Sequence, residues 1–470
     1  MAQRRVAAAS GRVMEVVRLA HAGLVVTTAR ARCLIDPVFA EPFEGGVNRF
    51  EPPVRIDARA VAAAATLVVL SHEHMDHFCV RSLAQVPRDR PVLYPAGATL
   101  IAHALAALGF ADARPVVPGQ VVRWADLTLV FTPSNVGFPE VGVLAGADGA
   151  WFWNCVDTET TEAAYALVAA HAPRLDLMFA NFQALAEEEL ACDGLGAAFP
   201  LERYAQRLRA VVEARPAVVV PASCGYAFAH APWLDTRGFP IAEDEFVRDV
   251  GAIAPAVRAV RLPPGARIDV ATGAIHDDAH GWVARGAPTT SLAWRPDHGV
   301  APLTDDDPYR RGTAALVAAT AALLDGEFLP ALAAPALARW RARLAAAGVV
   351  WQLDVVFPDG HRRSRWLDLA ARAAWLASAP QPPKLVTAIA ASTLVGLACG
   401  EATPYRALFT RRVVLKLYAP TPWGVERVGT LADEPVARVL FPGANRRFVD
   451  AELDRLGLAA RPPWRRRALG

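Results

Sequence analysis

Six residues decide most of what this chain can be. His72-Glu73-His74-Met75-Asp76-His77 follow directly on the apolar run Ala65-Thr66-Leu67-Val68-Val69-Leu70, so three imidazoles and the Asp76 carboxylate leave the end of a strand together. Alternate residues of an extended segment project the same way. A turn opening at Ser71 therefore points His72 and His74 at one metal ion, while Asp76 and His77 swing towards a second. The competing reading, a solvated turn with chance histidines, is poor: the chain holds only 11 histidines, and three of them fall in these six positions.

From residue 13 to about 275, short apolar runs alternate with alanine-rich helical ones, the pattern of α/β layers. Runs at 64–70, 127–131, 151–156 and 217–221 read as strands, and 94–109, 161–172 and 201–214 as helices. Each strand ends in a polar cluster: Ser71 to His77, Thr132 to Glu140, Asp157 to Thr160, Ser223 to His230. Loops leaving one edge of a rigid scaffold collect reactive groups, so these four form the expected rim of an active site.

A break falls around residues 283–310, where Gly286-Ala287-Pro288, Arg295-Pro296-Asp297-His298 and Asp305-Asp306-Asp307-Pro308 follow one another. Beyond it, helices near 308–325 and 330–347 lead into a β-hairpin, Val349 to Phe357 and His361 to Leu369, turned by Pro358-Asp359-Gly360. A buried helix over Leu385 to Gly400 and strands near 412–418 and 425–430 complete a small α+β unit. The expected domains are thus 1–285 and 305–470. The second is expected to serve as a lid, a substrate-binding partner or a dimerisation surface, with plain structural support equally open.

At 470 residues, 53% apolar and 20% charged, the chain is a buried globular type. Its net charge of +2 gives no footprint for nucleic acid. The cysteines at 33, 79, 155, 192, 224 and 399 form no C-x-x-C pair, which favours a reduced, cytoplasmic protein. Cys79, Cys155 and Cys224 lie near the rim; a thiolate ligand is weighed against buried small residues, and the latter is the commoner case. No apolar stretch is expected to reach the roughly 20 residues that span a bilayer.

The H-x-H-x-D-H string resembles the signature of the metallo-β-lactamase superfamily. Val17 to Val26, including His21, followed by Cys33 to Phe39, looks like the first hairpin of the branch that contains ascorbate-6-phosphate lactonase and N-acyl-phosphatidylethanolamine phospholipase D. His21 reads as a buried structural histidine. Asn154 to Asp157, Leu175 to Met178, Pro221 to Tyr226 and Pro263 to Asp269 are most similar, in order, to the metallo-β-lactamase-like region of the CMP-N-acetylneuraminate hydroxylase family. That likeness covers about the first 280 residues. It lacks the Cys-x-His and Cys-x-x-His ligands of a Rieske cluster. The resemblance implies an αββα metallo-β-lactamase-like sandwich within an α/β chain, with a smaller C-terminal α+β domain, and makes Asp157 the residue that bridges two metals.

Hydrolytic members of the superfamily complete the first metal with a third histidine and the second with a late one; neither stands in its usual place here. Glu140 is then the best third ligand for the first metal, with Asn135 next, and His230 folding back is the candidate for the second. The donor set His72, His74, Asp76, His77, Glu140, Asp157 and His230 is rich in carboxylate, which shifts preference from zinc towards iron or manganese. The donor set, with the likeness to that hydroxylase family and to diiron monooxygenases built on this fold, implies a non-haem diiron monooxygenase, with Asp76, Asp157 and Glu140 as its catalytic carboxylates and dioxygen as co-substrate. It would hydroxylate a small organic substrate, natural-product or nucleotide-sugar-like, with electrons from an external reductase. A zinc hydrolase of lactonase or phosphodiesterase type is the alternative. No nucleic acid or membrane span is expected, and a homodimer is left open.

Overall fold

The computed structural model of the chain describes residues 14–155, 157–185, 199–278, 280–292, 294–295, 301–369, 374–379 and 381–458. Two sheets pack face to face. The first runs in the order Ile275–His276, Arg267–Asp269, Glu15–Ala20, Gly23–Thr27, Arg32–Ile35, Leu67–Val69, Val92–Pro95, Ala113–Val116. The second runs Arg258–Ala259, Val218–Ala222, Leu177–Asn181, Ala150–Asn154, Val141–Ala147, Leu127–Pro133, Val121–Trp124.

Alternation along each strand decides what it touches. Val16, Val26, Ile35 and Val69 of the first sheet meet Phe131, Val143, Phe152 and Val220 of the second in one dry layer. Their neighbours Val17, Val25, Leu34 and Val68 turn outwards onto Val61, Leu83, Ile101 and Leu105, carried by the helices Ala58–Ala64, Val80–Leu83 and Thr99–Leu108. On the other side Val130, Leu144, Trp153 and Met178 face Val168, Val211 and Phe246 of the helices Glu162–His171, Leu201–Ala214 and Glu243–Ile253. Strands covered on both faces read as continuous apolar runs, which is why they were conspicuous in the sequence. The layers are therefore helix, sheet, sheet, helix.

The second unit is built on a five-stranded sheet, Trp375–Leu376, Arg362–Asp368, Val350–Val356, Leu385–Ala390, Arg411–Leu415. Its hairpin forms as expected, with Val356 opposite Arg362. The stretch Leu385 to Gly400 is not one helix: Leu385–Ala390 is a strand parallel to Val350–Val356, and the helix is Ala391–Cys399. Val386, Thr387 and Ile389 are β-branched, and their preference for a pleated, packed site overrides the helical look of the alanines. A helical run of 21 residues, Thr313–Ala333, is also long and apolar enough by length and composition to cross a membrane, at odds with the sequence expectation. It carries Asp325 and Glu327, and packs Leu316, Leu323, Phe328 and Leu332 into the second unit's own core.

The acidic run at 305–307 is not a solvated linker. Asp305 accepts from Ser392 N at 2.8 Å, Asp306 pairs with Arg406 at 2.8 Å, and Asp307 Oδ2 accepts from Gly312 N at 2.7 Å. The segment before it is pinned to the first unit, where Glu51 accepts from the Thr289 backbone at 2.8 Å and its hydroxyl at 2.7 Å. Next to it Asp235, fully buried, accepts from Phe228 N at 2.8 Å. Burial pushes the Asp235 carboxyl up to about 6, and nearby Glu51 adds to it.

The folded protein thus keeps a proton on Asp235 that the unfolded chain releases near the ordinary value of 3.8. The stability this contributes is present at low pH and is lost as pH rises through about 6. Asp235→Asn keeps an acceptor for Phe228 and cannot ionise. Its melting temperature is expected to match wild type at pH 4 and to exceed it at about pH 7.5; equal melting temperatures at both pH values would refute this.

Candidate metal centre

The strand Arg32–Ile35 runs parallel to Leu67–Val69, and both end at the same edge. That register sets Asp36 beside Ser71. Asp36 N donates to Val69 O at 3.0 Å, and Ser71 N donates back to Asp36 Oδ1 at 2.8 Å. The Ser71 hydroxyl stands 2.7 Å from Asp36 Oδ2, and His77 Nδ1 stands 3.0 Å from the same oxygen. Since an ionised carboxylate only accepts, Ser71 Oγ donates to Asp36 and must itself accept from His72 Nδ1, 2.9 Å away. Both imidazoles are thereby fixed with a proton on Nδ1, which leaves Nε2 as the atom that can ligate, the arrangement that outer partners impose on metal-binding histidines.

Those Nε2 atoms converge. His72 Nε2 and His77 Nε2 are buried without a hydrogen-bond partner. His77 Nε2 lies 3.1 Å from Asp157 Oδ2 and 3.7 Å from Asp76 Oδ2. His72, His77 and Asp157 offer donor atoms within 4.8 Å of one another, and so do His21, Asp76 and His77. His77 belongs to both groups. Burial opposes protonation of His77, yet Asp76 and Asp157 hold its proton well above the usual imidazole range. Burial pushes the two carboxylates the other way, upwards, yet His77 holds both well below their usual range. Burial, reinforced by His77 and His74, pushes His72 far down, so it is neutral and free to ligate. Lone pairs aimed at shared space in an anionic surround fit a pair of metal cations, whose binding would displace the His77 proton.

His21 is more than a structural histidine. Its Nε2 sits 3.1 Å from Asp76 Oδ2, and its backbone is left-handed, with φ 39°. Tyr226 packs edge-on against its ring at 5.1 Å, and Phe43 stacks on it at 5.7 Å. Gly225 lies so close that a Cβ there would come within 2.9 Å of His21 N and Cα. A larger residue at 225 would push His21 off Asp76.

Glu140 is brought to His72 by an antiparallel bridge between the two residues. Its Oε2 accepts from the Ser134 hydroxyl at 2.5 Å, and its Oε1, unpartnered, stands 3.5 Å from His72 Nδ1. It thus lies on the Nδ1 side of that ring and is in neither three-donor group. Burial pushes it up to about 7. His74 is exposed, its ring 4.6 Å from that of His72, with Phe138 over both rings at 4.7 and 5.8 Å. His230 is not drawn into the cluster. Its Nδ1 pairs with Asp306 Oδ2 at 3.1 Å, because the linker acids reach it first. Asn135 instead lines a neighbouring cavity of about 410 Å³ together with Thr158, Tyr165 and Arg207. Cys33, Cys79, Cys155 and Cys224 are buried, and burial pushes Cys33 and Cys155 well above the usual thiol range, which disfavours a thiolate ligand.

Residues 31–222 match the family profile described as a beta-lactamase superfamily domain. With the layered sheets and the H-x-H-x-D-H edge, this makes the first unit a metallo-β-lactamase superfamily domain. Members are metal-dependent enzymes, hydrolases and a diiron oxygenase among them. Solved structures similar to the chain include the isothiocyanate hydrolase from Delia radicum gut bacteria, at 17% identity and TM-score 0.41, covering 54% of this chain and 98% of that one. They also include the metallo hydrolase Igni18 from Ignicoccus hospitalis, at 16% identity and TM-score 0.38, covering 55% and 97%. The diiron beta-hydroxylase CmlA from Streptomyces venezuelae matches at 16% identity and TM-score 0.37, covering 55% of this chain and 54% of CmlA. No curated protein matches the sequence.

Because His77 is shared, His77→Ala is expected to lose metal from both positions, whereas His21→Ala loses at most one equivalent. Metal per chain, measured by plasma emission after gel filtration, separates these. A His77→Ala protein that still carries two equivalents would refute the shared assignment. Gly225→Ala is expected to lower metal content as His21→Ala does.

Proposed function

We propose that the chain is a non-haem diiron monooxygenase acting on a small organic substrate. The observation that carries this reading is the weight of carboxylate around the imidazoles. Asp76 and Asp157 stand beside His77, and Glu140 has a buried, unpartnered Oε1 beside His72. Hard, anionic oxygen donors favour iron over zinc. His72, His74, His77, Asp76 and Asp157 would hold the metals; Glu140, on the Nδ1 side of His72, would join them only by a turn of its side chain. Bound there, an iron pair would supply reductive activation of dioxygen, with electrons from an external donor.

The chain's own residues would do the rest. Asp36 and Ser71 hold two imidazoles in one tautomer, His21 holds Asp76, and Phe138, 39% exposed, makes an apolar lip at the mouth beside His74. The cavity next to the Asp157 loop, with Asn135, Tyr165 and Arg207 on its walls, is large enough for a small organic molecule.

A second reading, a zinc hydrolase, is favoured by His21, which adds a nitrogen donor to Asp76 and His77 and makes the site less purely carboxylate. Metal analysis decides between them. Protein produced with ample iron and no added zinc is expected to hold about two irons per chain and to consume oxygen with a chemical reductant. Glu140→His is expected to move retention towards zinc, with oxygen uptake falling much further than total metal. Zinc alone in the wild-type protein, or Glu140→Ala with unchanged metal and turnover, would overturn the monooxygenase reading and leave the hydrolase.

A further inference from the structure

The metal-binding segment is held from beneath by the far end of the chain. Helix Ala444–Arg455, part of the second unit in sequence, lies against helices Thr99–Leu108 and Val80–Leu83 of the first. Its Val449 and Leu453, 1% and 0% exposed, sit in the same apolar cluster as Met75 and Phe78, the residues that flank Asp76 and His77. Polar ties close round this contact. Arg81 Nε pairs with Glu452 Oε2 at 3.3 Å, and His103 Nε2 meets Asp450 Oδ1 at 2.7 Å.

Both partners in the first unit connect directly to the metal segment. Arg81 is four residues past His77, and its NH2 donates to the carbonyl of Pro42, next to the Phe43 that stacks on His21. His103 is on the helix whose first turn is capped by Glu73, where Oε1 accepts from Leu100 N at 2.6 Å. Glu73 is the residue between His72 and His74. The same short helix thus reaches both ends of the ligand segment and, through Pro42, the seat of His21.

We infer that helix Ala444–Arg455 is a positioning element of the metal centre, acting through Arg81 and the Met75–Phe78 floor, so that its docking sets how firmly the metals are held. This rests on the assignment of the metal centre and is indifferent to which metal or reaction is native. An exposed ion pair alone is a weak tie. Here the buried Val449 and Leu453 carry the docking, and the charges fix its register.

Cobalt(II)-loaded, full-length protein provides the test, read by the visible absorption bands of the metal and by its release rate into excess chelator. Leu453→Ala and Arg81→Glu are expected to speed release by about tenfold and to shift the bands, as loss of an outer partner does at other metal sites. The exchanged pair Arg81→Glu with Glu452→Arg should recover most of the wild-type rate. Leu344→Ala, which opens the second unit's own core away from this helix, should lower the melting temperature and leave release within about twofold of wild type. Should Leu453→Ala fail to fold, the half-exposed Arg81 site carries the comparison alone. Unchanged release and spectra in Arg81→Glu, or equally fast release from Leu344→Ala, would overturn the inference. Wild-type protein that takes up no cobalt would instead sink the metal-centre assignment beneath it.

Discussion

Everything at the site hangs on one buried carboxylate. Asp36 is 0% exposed and its backbone is left-handed, with φ 46°, a conformation an L residue holds only when its surroundings insist. A bare buried charge is costly. Asp36 is relieved by the Ser71 amide, the Ser71 hydroxyl and His77 Nδ1, so both oxygens are used. The same contacts fix the tautomers of His72 and His77. One parallel strand pair therefore does two things at once: it satisfies a charge, and it aims two lone pairs at the same space. Without it, the H-x-H-x-D-H segment would be a loop of histidines with no common target.

Much of this was legible beforehand, and for a physical reason. Strands buried on both faces show as unbroken apolar runs, so Leu67–Val69, Leu127–Pro133, Ala150–Asn154 and Val218–Ala222 were visible, along with the polar clusters at their ends. Asp157 ends such a run where the family resemblance implies a bridging aspartate, and it lies beside His77. Asp36 and Ser71 were missed as participants because an orienting residue has no spacing rule; only the register of two strands brings it into play. His21 was placed in the right pattern but assigned to packing, since nothing local shows that its ring meets Asp76 55 residues away. His230 went wrong for the opposite reason: its loop leaves the correct edge, but Asp306, within the domain break, captures it.

The second unit was the least readable part. Alanine-rich strands such as Leu385–Ala390 imitate helices until a partner strand exists, and Val350–Val356 supplies one. The boundary itself was visible as Gly, Pro and Asp, but what those acids bind was not. Phe409 joins the first unit's apolar cluster, and Val449 and Leu453 enter another. Two stretches that read as separate domains therefore share parts of their cores, and the seam carries structure as well as connection.

Cys155, two residues before Asp157, is 2% exposed, and burial keeps its sulfur protonated. Oxidants attack the thiolate, and they attack it where they can reach it. A sulfur that is neither charged nor accessible is chemically quiet. The loop presenting Asp157 thus carries a thiol sheltered from oxidation, and a substitution that opened this packing would put a reactive sulfur two residues from a candidate ligand.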